Sequence, residues 1–140
     1  MERLKKYIKQ YEKLQEEVET LHYHMKLLLM MLPRDIEYTF FQYAIDFNLS
    51  ELETAKILKT LGKVDDKLNN RNIPEILYTV DKKPIFFDTS VPLGQFGAQF
   101  TDYIQTQFPN KAIEPKYLLK ACKQQRLYPE ACDLLLEQLT

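Results

Sequence analysis

LKKYIKQYEKLQEEVETLHYHMKLLLMML, residues 4–32, decides the fold of this chain. Its apolar residues recur at alternating gaps of three and four: Leu4, Tyr7, Tyr11, Leu14, Val18, Leu21, Met25, Leu28 and Leu32. Leu4, Tyr11, Val18, Met25 and Leu32 fall at position a of a heptad, and Tyr7, Leu14, Leu21 and Leu28 at position d. Such a seam stays on one side of a helix and calls for a second helix to cover it. The spacing predicts a helix over about Glu2 to Met31 whose character changes midway. Up to Thr20 the apolar stripe is narrow, with charged flanks. From Leu21 the helix is apolar almost all round, as expected of one entering a core. The expected organisation is therefore a projecting coiled-coil arm at 1–20, continuous with the first helix, and a single helical domain at 21–140.

Charge along the arm orients the expected pairing. Arg3, Lys5, Lys6 and Lys9 against Glu2 give residues 1–10 a net +3. Glu12, Glu16, Glu17 and Glu19 against Lys13 give residues 11–20 a net −3. A parallel self-pair opposes like charges, whereas an antiparallel pair centred near Tyr11 opposes unlike ones. The expectation is a homo-oligomer through Leu4, Tyr7, Tyr11, Leu14, Val18 and Leu21, antiparallel in orientation. Packing of the arm on its own domain, or on a different protein partner, is the alternative.

At 140 residues the chain has room for a core without disulfides or metal. A content of 45% hydrophobic and 28% charged residues belongs to a globular protein rather than a disordered or membrane-spanning one. The net charge of −1 provides no global field for nucleic acid or an anionic membrane, so any basic surface must be local. MERLKKYIKQYEKL at the start lacks the apolar region of a signal peptide, and Leu27–Leu32 is too short to span a bilayer. Cys122 and Cys132 make no disulfide framework. These readings point to the cytoplasm and away from a membrane.

Beyond Pro33, which ends the first helix or opens the next, a second helix is expected over Asp35 to Phe47. Ile36, Phe40, Phe41, Ala44, Ile45 and Phe47 give it a wide apolar face. Ser50 followed by Glu53 is a capping-box pattern, since each side chain satisfies a free amide at a helix start. The third helix should run to about Leu68, with Ile57, Leu58, Leu61, Val64 and Leu68 inward. Asn69 to Val91 is less regular. NNRN breaks the helix, and Lys82 to Asp88 suggests a short extended segment near 84–88, with Pro84 unsuited to a central strand. A further helix is expected from about Leu93 to Phe108. A helical hairpin then follows at Pro115–Arg126 and Pro129–Leu139, each proline suiting a first turn. The fold class is all-α: a long N-terminal amphipathic helix followed by a compact helical domain.

Four further features bear on function. Lys56, Lys59, Lys63, Lys67 and Arg71 lie within about 120° of helical arc, a basic stripe with the spacing of phosphate or nucleic-acid contacts, or of a solvated helix face. His22 and His24 are two residues apart, so they diverge on a helix and cannot share one ion. Cys122 and Cys132 fit no zinc spacing and read as small buried hydrophobes. The loop Asp81–Phe96, with Phe86, Phe87, Pro92 and Phe96, is either a ligand or peptide site or, through Ile85 and Phe87, a plug for the core. No serine-nucleophile elbow, phosphate loop, dinucleotide fingerprint or zinc-protease motif occurs, and Gly94 and Gly97 are too sparse to cradle a phosphate. No catalytic, cofactor-binding or metal residues are indicated, and no cofactor is expected.

Three runs are similar to those of a known group: LHYHMKLLLMML (21–32), FFQYAIDFNLSELETAKILKTL (40–61) and LYPEACDLLLEQL (127–139). They resemble the YhaI-like family of small uncharacterised proteins from Bacillus and related bacteria. The resemblance covers about Leu21 to Leu139. It implies an all-helical, bacterial, cytoplasmic protein and supplies no functional residues, because the family has no established activity. Here the N-terminal arm is longer, and Arg71–Pro92 looks like an insertion. The functional expectation is a non-catalytic interaction or regulatory module that self-associates through its first helix. A nucleic-acid-associated regulator using the basic stripe is the second reading, and a small-molecule binder or enzyme using the 81–96 loop the third.

Overall fold

A computed structural model describes residues 1–31, 38–71, 74 and 78–140. The chain forms two compact units, Met1–Arg34 and Asp35–Thr140. The expected Leu32 seam position and the start of the second helix, including Asp35 and Ile36, lie outside the described residues.

The first unit is helix α1, Glu2–Met31. None of its residues is buried. Within this unit the residues from Leu21 onward form no core of their own. Leu21, Met25, Leu28, Met30 and Met31 are all exposed. An all-round apolar composition suits burial, but composition alone does not say which surface provides it.

In the second unit the described helices are α2 (Thr39–Asp46), α3 (Glu51–Leu68), α4 (Phe96–Gln107, preceded by a 3-10 turn at Leu93–Gln95), α5 (Pro115–Gln124) and α6 (Pro129–Leu139). The only sheet among the described residues is an antiparallel hairpin of β1 (Thr79–Val80) and β2 (Lys83–Pro84), pairing Thr79 with Pro84 and Val80 with Lys83. Asp81 and Lys82 take positive φ of 53° and 62°, the two-residue turn whose twist suits a tight hairpin. Pro84 sits on its edge, where a missing amide costs nothing.

Local chemistry accounts for the helix boundaries. Ser50 Oγ accepts from the Glu53 amide at 3.1 Å, and Glu53 Oε1 accepts from the Ser50 amide at 2.8 Å, the reciprocal cap expected from the sequence. Burial pushes the Glu53 carboxyl up, yet the Ser50 amide, the Ser50 hydroxyl and the Lys111 ammonium at 3.5 Å together hold it below the usual carboxylate range. Lys111 also donates to Asn48 O at 2.6 Å, so one lysine ties down the whole α2–α3 turn. Pro115 and Pro129 open α5 and α6.

The core is shared by all five helices. Phe40, Ile57, Leu61, Val64, Phe96, Phe100, Ile104, Leu118, Leu119 and Leu135 interlock, and Cys122 of α5 and Cys132 of α6 are buried with them. Ile85 and Phe87 of the 81–96 loop join this core, as the second of the two sequence readings of that loop expected. The Phe87 ring stands edge-on to Phe96 at 5.7 Å and to Tyr103 at 6.3 Å. Two expected core residues of α2, Phe41 and Ile45, are exposed instead. Among the described residues, no helix is long and apolar enough to cross a membrane.

Candidate functional site

Two surfaces stand out. The first is the seam of α1. Leu4, Tyr7, Tyr11, Leu14, Val18 and Leu21 keep between 56% and 67% of their surface exposed, and Met25 and Leu28 continue the line. Soluble proteins rarely leave a contiguous apolar strip of this length open to water. The strip is flanked by the cationic start and the acidic middle of the same helix. His22 and His24 lie at its margins, the His24 ring tilted against Tyr23 at 6.2 Å.

The five cations of α3 and its end do not form one solvent-facing strip. Lys63 is only 4% exposed, so it faces inward. Its ammonium donates to Phe87 O and lies 5.4 Å from the centre of the Tyr78 ring. The 78–88 segment folds over this side of α3 and supplies a carbonyl and an aromatic face, which is what a buried ammonium needs. Tyr78 donates to Asp66 at 2.7 Å. Arg71 pairs with Asp66 at 3.0 Å and Asp65 at 3.4 Å. Lys56 is half-buried and donates to Gln107 at 3.4 Å. Lys59 and Lys67 remain exposed. The stripe is thus divided between a structural lysine, an ion-paired arginine and solvated ends.

The second surface is a notch of about 170 Å³ lined by Lys56, Val80, Lys83, Pro84, Ile85, Phe86, Tyr103 and Gln107. The hairpin forms one wall, and α3 and α4 form the other. Tyr103 is buried, which pushes its phenol up, and Thr60 lies in hydrogen-bonding reach of it. No lining residue is acidic. Sequence reasoning had picked out the loop but not Lys56, Tyr103 or Gln107 as its neighbours. The only signal for these was that α3 and α4 both carry polar residues beside their apolar faces.

Cys122 and Cys132 are free thiols that face each other inside the α5–α6 hairpin. The contact with Cys132 and burial both push the Cys122 thiol far up. Cys132 Sγ also lies 3.5 Å from Leu127 O. Such thiols are poor nucleophiles. Among the described residues, no three His, Cys, Asp or Glu side chains gather as a metal site. Known protein families, characterised proteins and solved structures all lack a match to this chain.

Proposed function

We propose that this protein is a non-catalytic interaction module that self-associates through α1, two copies pairing antiparallel along the seam. The supporting observation is the open apolar strip on a helix whose two halves carry opposite charge. In the charge-matched register, Leu4 rests on the partner's Leu21, Tyr7 on the partner's Val18 and Tyr11 on the partner's Leu14, with the mirror-image layers completing the seam. Lys6, Lys9 and Glu12 then stand level with the partner's Glu19, Glu16 and Lys13, all at outer b, c and f positions, so they supply a general attraction between the two segments and not contact pairs.

Sliding one heptad, so that Leu4 meets the partner's Leu28, adds apolar layers but sets the two acidic segments side by side. Repulsion between these solvent-exposed acidic segments offsets part of the gain and weakens with added salt. Covering a half-exposed Leu or Tyr contributes about 1 kcal/mol, so a dozen such side chains yield on the order of 10 kcal/mol. Association itself costs about 4–15 kcal/mol. The pair is therefore expected to be reversible and concentration-dependent.

Leu14→Glu places two buried charges at the centre of the seam. Light scattering coupled to size exclusion should show it as a monomer with unchanged helical content, while the wild type is an oligomer. A variant that keeps the wild-type mass, or a wild type that stays monomeric when concentrated, would overturn the proposal. Orientation is read by oxidative cross-linking. Leu4→Cys mixed with Leu21→Cys should give the mixed disulfide, whereas self-linked Leu4→Cys indicates a parallel pair. Kinship with the YhaI-like proteins and a cytoplasmic, bacterial setting belong to the same proposal, and they rest on the three quoted runs of sequence.

A further inference from the structure

We infer that the notch between the β1–β2 hairpin and helices α3 and α4 is a binding site for a small organic monocarboxylate, a ring or short chain carrying one negative charge. This goes beyond the self-association of α1 and concerns the second unit alone.

Size sets the first limit. A buried apolar cavity of about 150 Å³ accommodates a benzene molecule. The notch, at about 170 Å³, has room for one ring or a short chain, not for a nucleotide. The walls set the second. Val80, Pro84, Ile85 and Phe86 present hydrocarbon, and Phe86 is 77% exposed at the rim although its neighbours Ile85 and Phe87 are buried in the core. A large aromatic held out of the core beside a cavity is a wall that an apolar body can complete. Inorganic phosphate would leave these walls wet.

Charge sets the third. Two lysines, Lys56 and Lys83, are among the residues that line the notch, and no lining residue is a carboxylate. Lys56 is half-buried, and its contact with Gln107 Oε1 engages one of its three donors, leaving others to turn to a ligand. Lys83 lies at the exposed edge of the notch, paired across the hairpin with the buried Val80 just after the tight Asp81–Lys82 turn. Two cations in a site with low-dielectric walls favour an anion, and the apolar walls favour one with a hydrocarbon body.

The test titrates sodium benzoate into the full chain at constant ionic strength and follows backbone amide resonances. Saturable shifts are expected at Val80, Lys83, Ile85 and Phe86. Benzamide has the shape without the charge and inorganic phosphate the charge without the ring, and each should bind at least about tenfold more weakly. Lys83→Gln changes an exposed residue, so the fold should persist while benzoate affinity falls about tenfold. Lys56→Gln should lower it similarly and serves as the second variant. No saturation up to about 50 mM benzoate, benzamide binding equal to benzoate, shifts centred outside the notch, or full affinity in both variants would each overturn the inference.

Discussion

At Gly97 a single missing methyl sets the approach of α6 to α4. A Cβ built there would lie 2.6 Å from Gln138 Cβ and 2.9 Å from Gln138 Oε1. The space is used: the Gln138 amide accepts from the Gly97 amide and donates to Leu93 O at 2.7 Å, closing the open end of the 3-10 turn that leads into α4. Gly97→Ala should therefore destabilise the second unit by about 1–3 kcal/mol despite alanine's better helix propensity. A urea titration followed by circular dichroism checks this, and an unchanged midpoint would show that Gln138 simply moves aside. From the sequence, Gly97 read only as a glycine too isolated for a phosphate loop. Its role depends on a residue 41 positions away. Lys63 was illegible for the same reason. It has the spacing of a surface lysine, and only the return of the chain at Phe87 encloses it.

Three helices end the same way. Leu49 donates to Ala44 O at 2.8 Å, Arg71 to Asp66 O at 2.8 Å and Leu127 to Cys122 O at 2.9 Å, in each case just beyond a left-handed residue: Asn48, Asn70 and Arg126. This is the Schellman closure, usually built on glycine. Asparagine tolerates the left-handed region, but arginine carries a Cβ penalty of about 1–2 kcal/mol there. Arg126→Gly should raise stability by about 0.5–1 kcal/mol, the relief exceeding glycine's added freedom in the unfolded chain. A higher urea midpoint with unchanged slope is the expected reading, and a lower one would mean that the arginine side chain contributes more than its strain costs. Helix starts were the legible part of these elements, because Ser50, Glu53, Pro115 and Pro129 act locally. Helix ends were legible as breaks but not as this closure, since no glycine marks them. The last helices end as the sequence suggested to within two residues, with Arg126 reversing the chain instead of extending α5.

At the scale of the molecule, the two units depend on different physics. The second has a core of aromatic and aliphatic side chains drawn from every helix and from the 81–96 loop. The first is one helix with no buried residue. Isolated helices owe little to propensity and gain most of their stability from a covered apolar face. The heptad made the helix legible and its need for a cover equally so. Leu21–Met31 has the composition of either a core helix or an interface, and the sequence leaves that choice open.

The paired thiols of α5 and α6 give this second unit a chemical tell-tale. With Cys122 and Cys132 both sealed inside, the folded chain offers a maleimide no accessible thiol, and each labelled molecule records one opening of the hairpin that holds both. In dilute buffer the label should enter slowly and at both positions together, and in denaturant at once. Labelling of one cysteine without the other would mean that α6 peels away before the rest. The same silence leaves an introduced surface cysteine as the only reporter in the folded state, so the chain can carry a dye at a chosen position without first losing its own sulfurs.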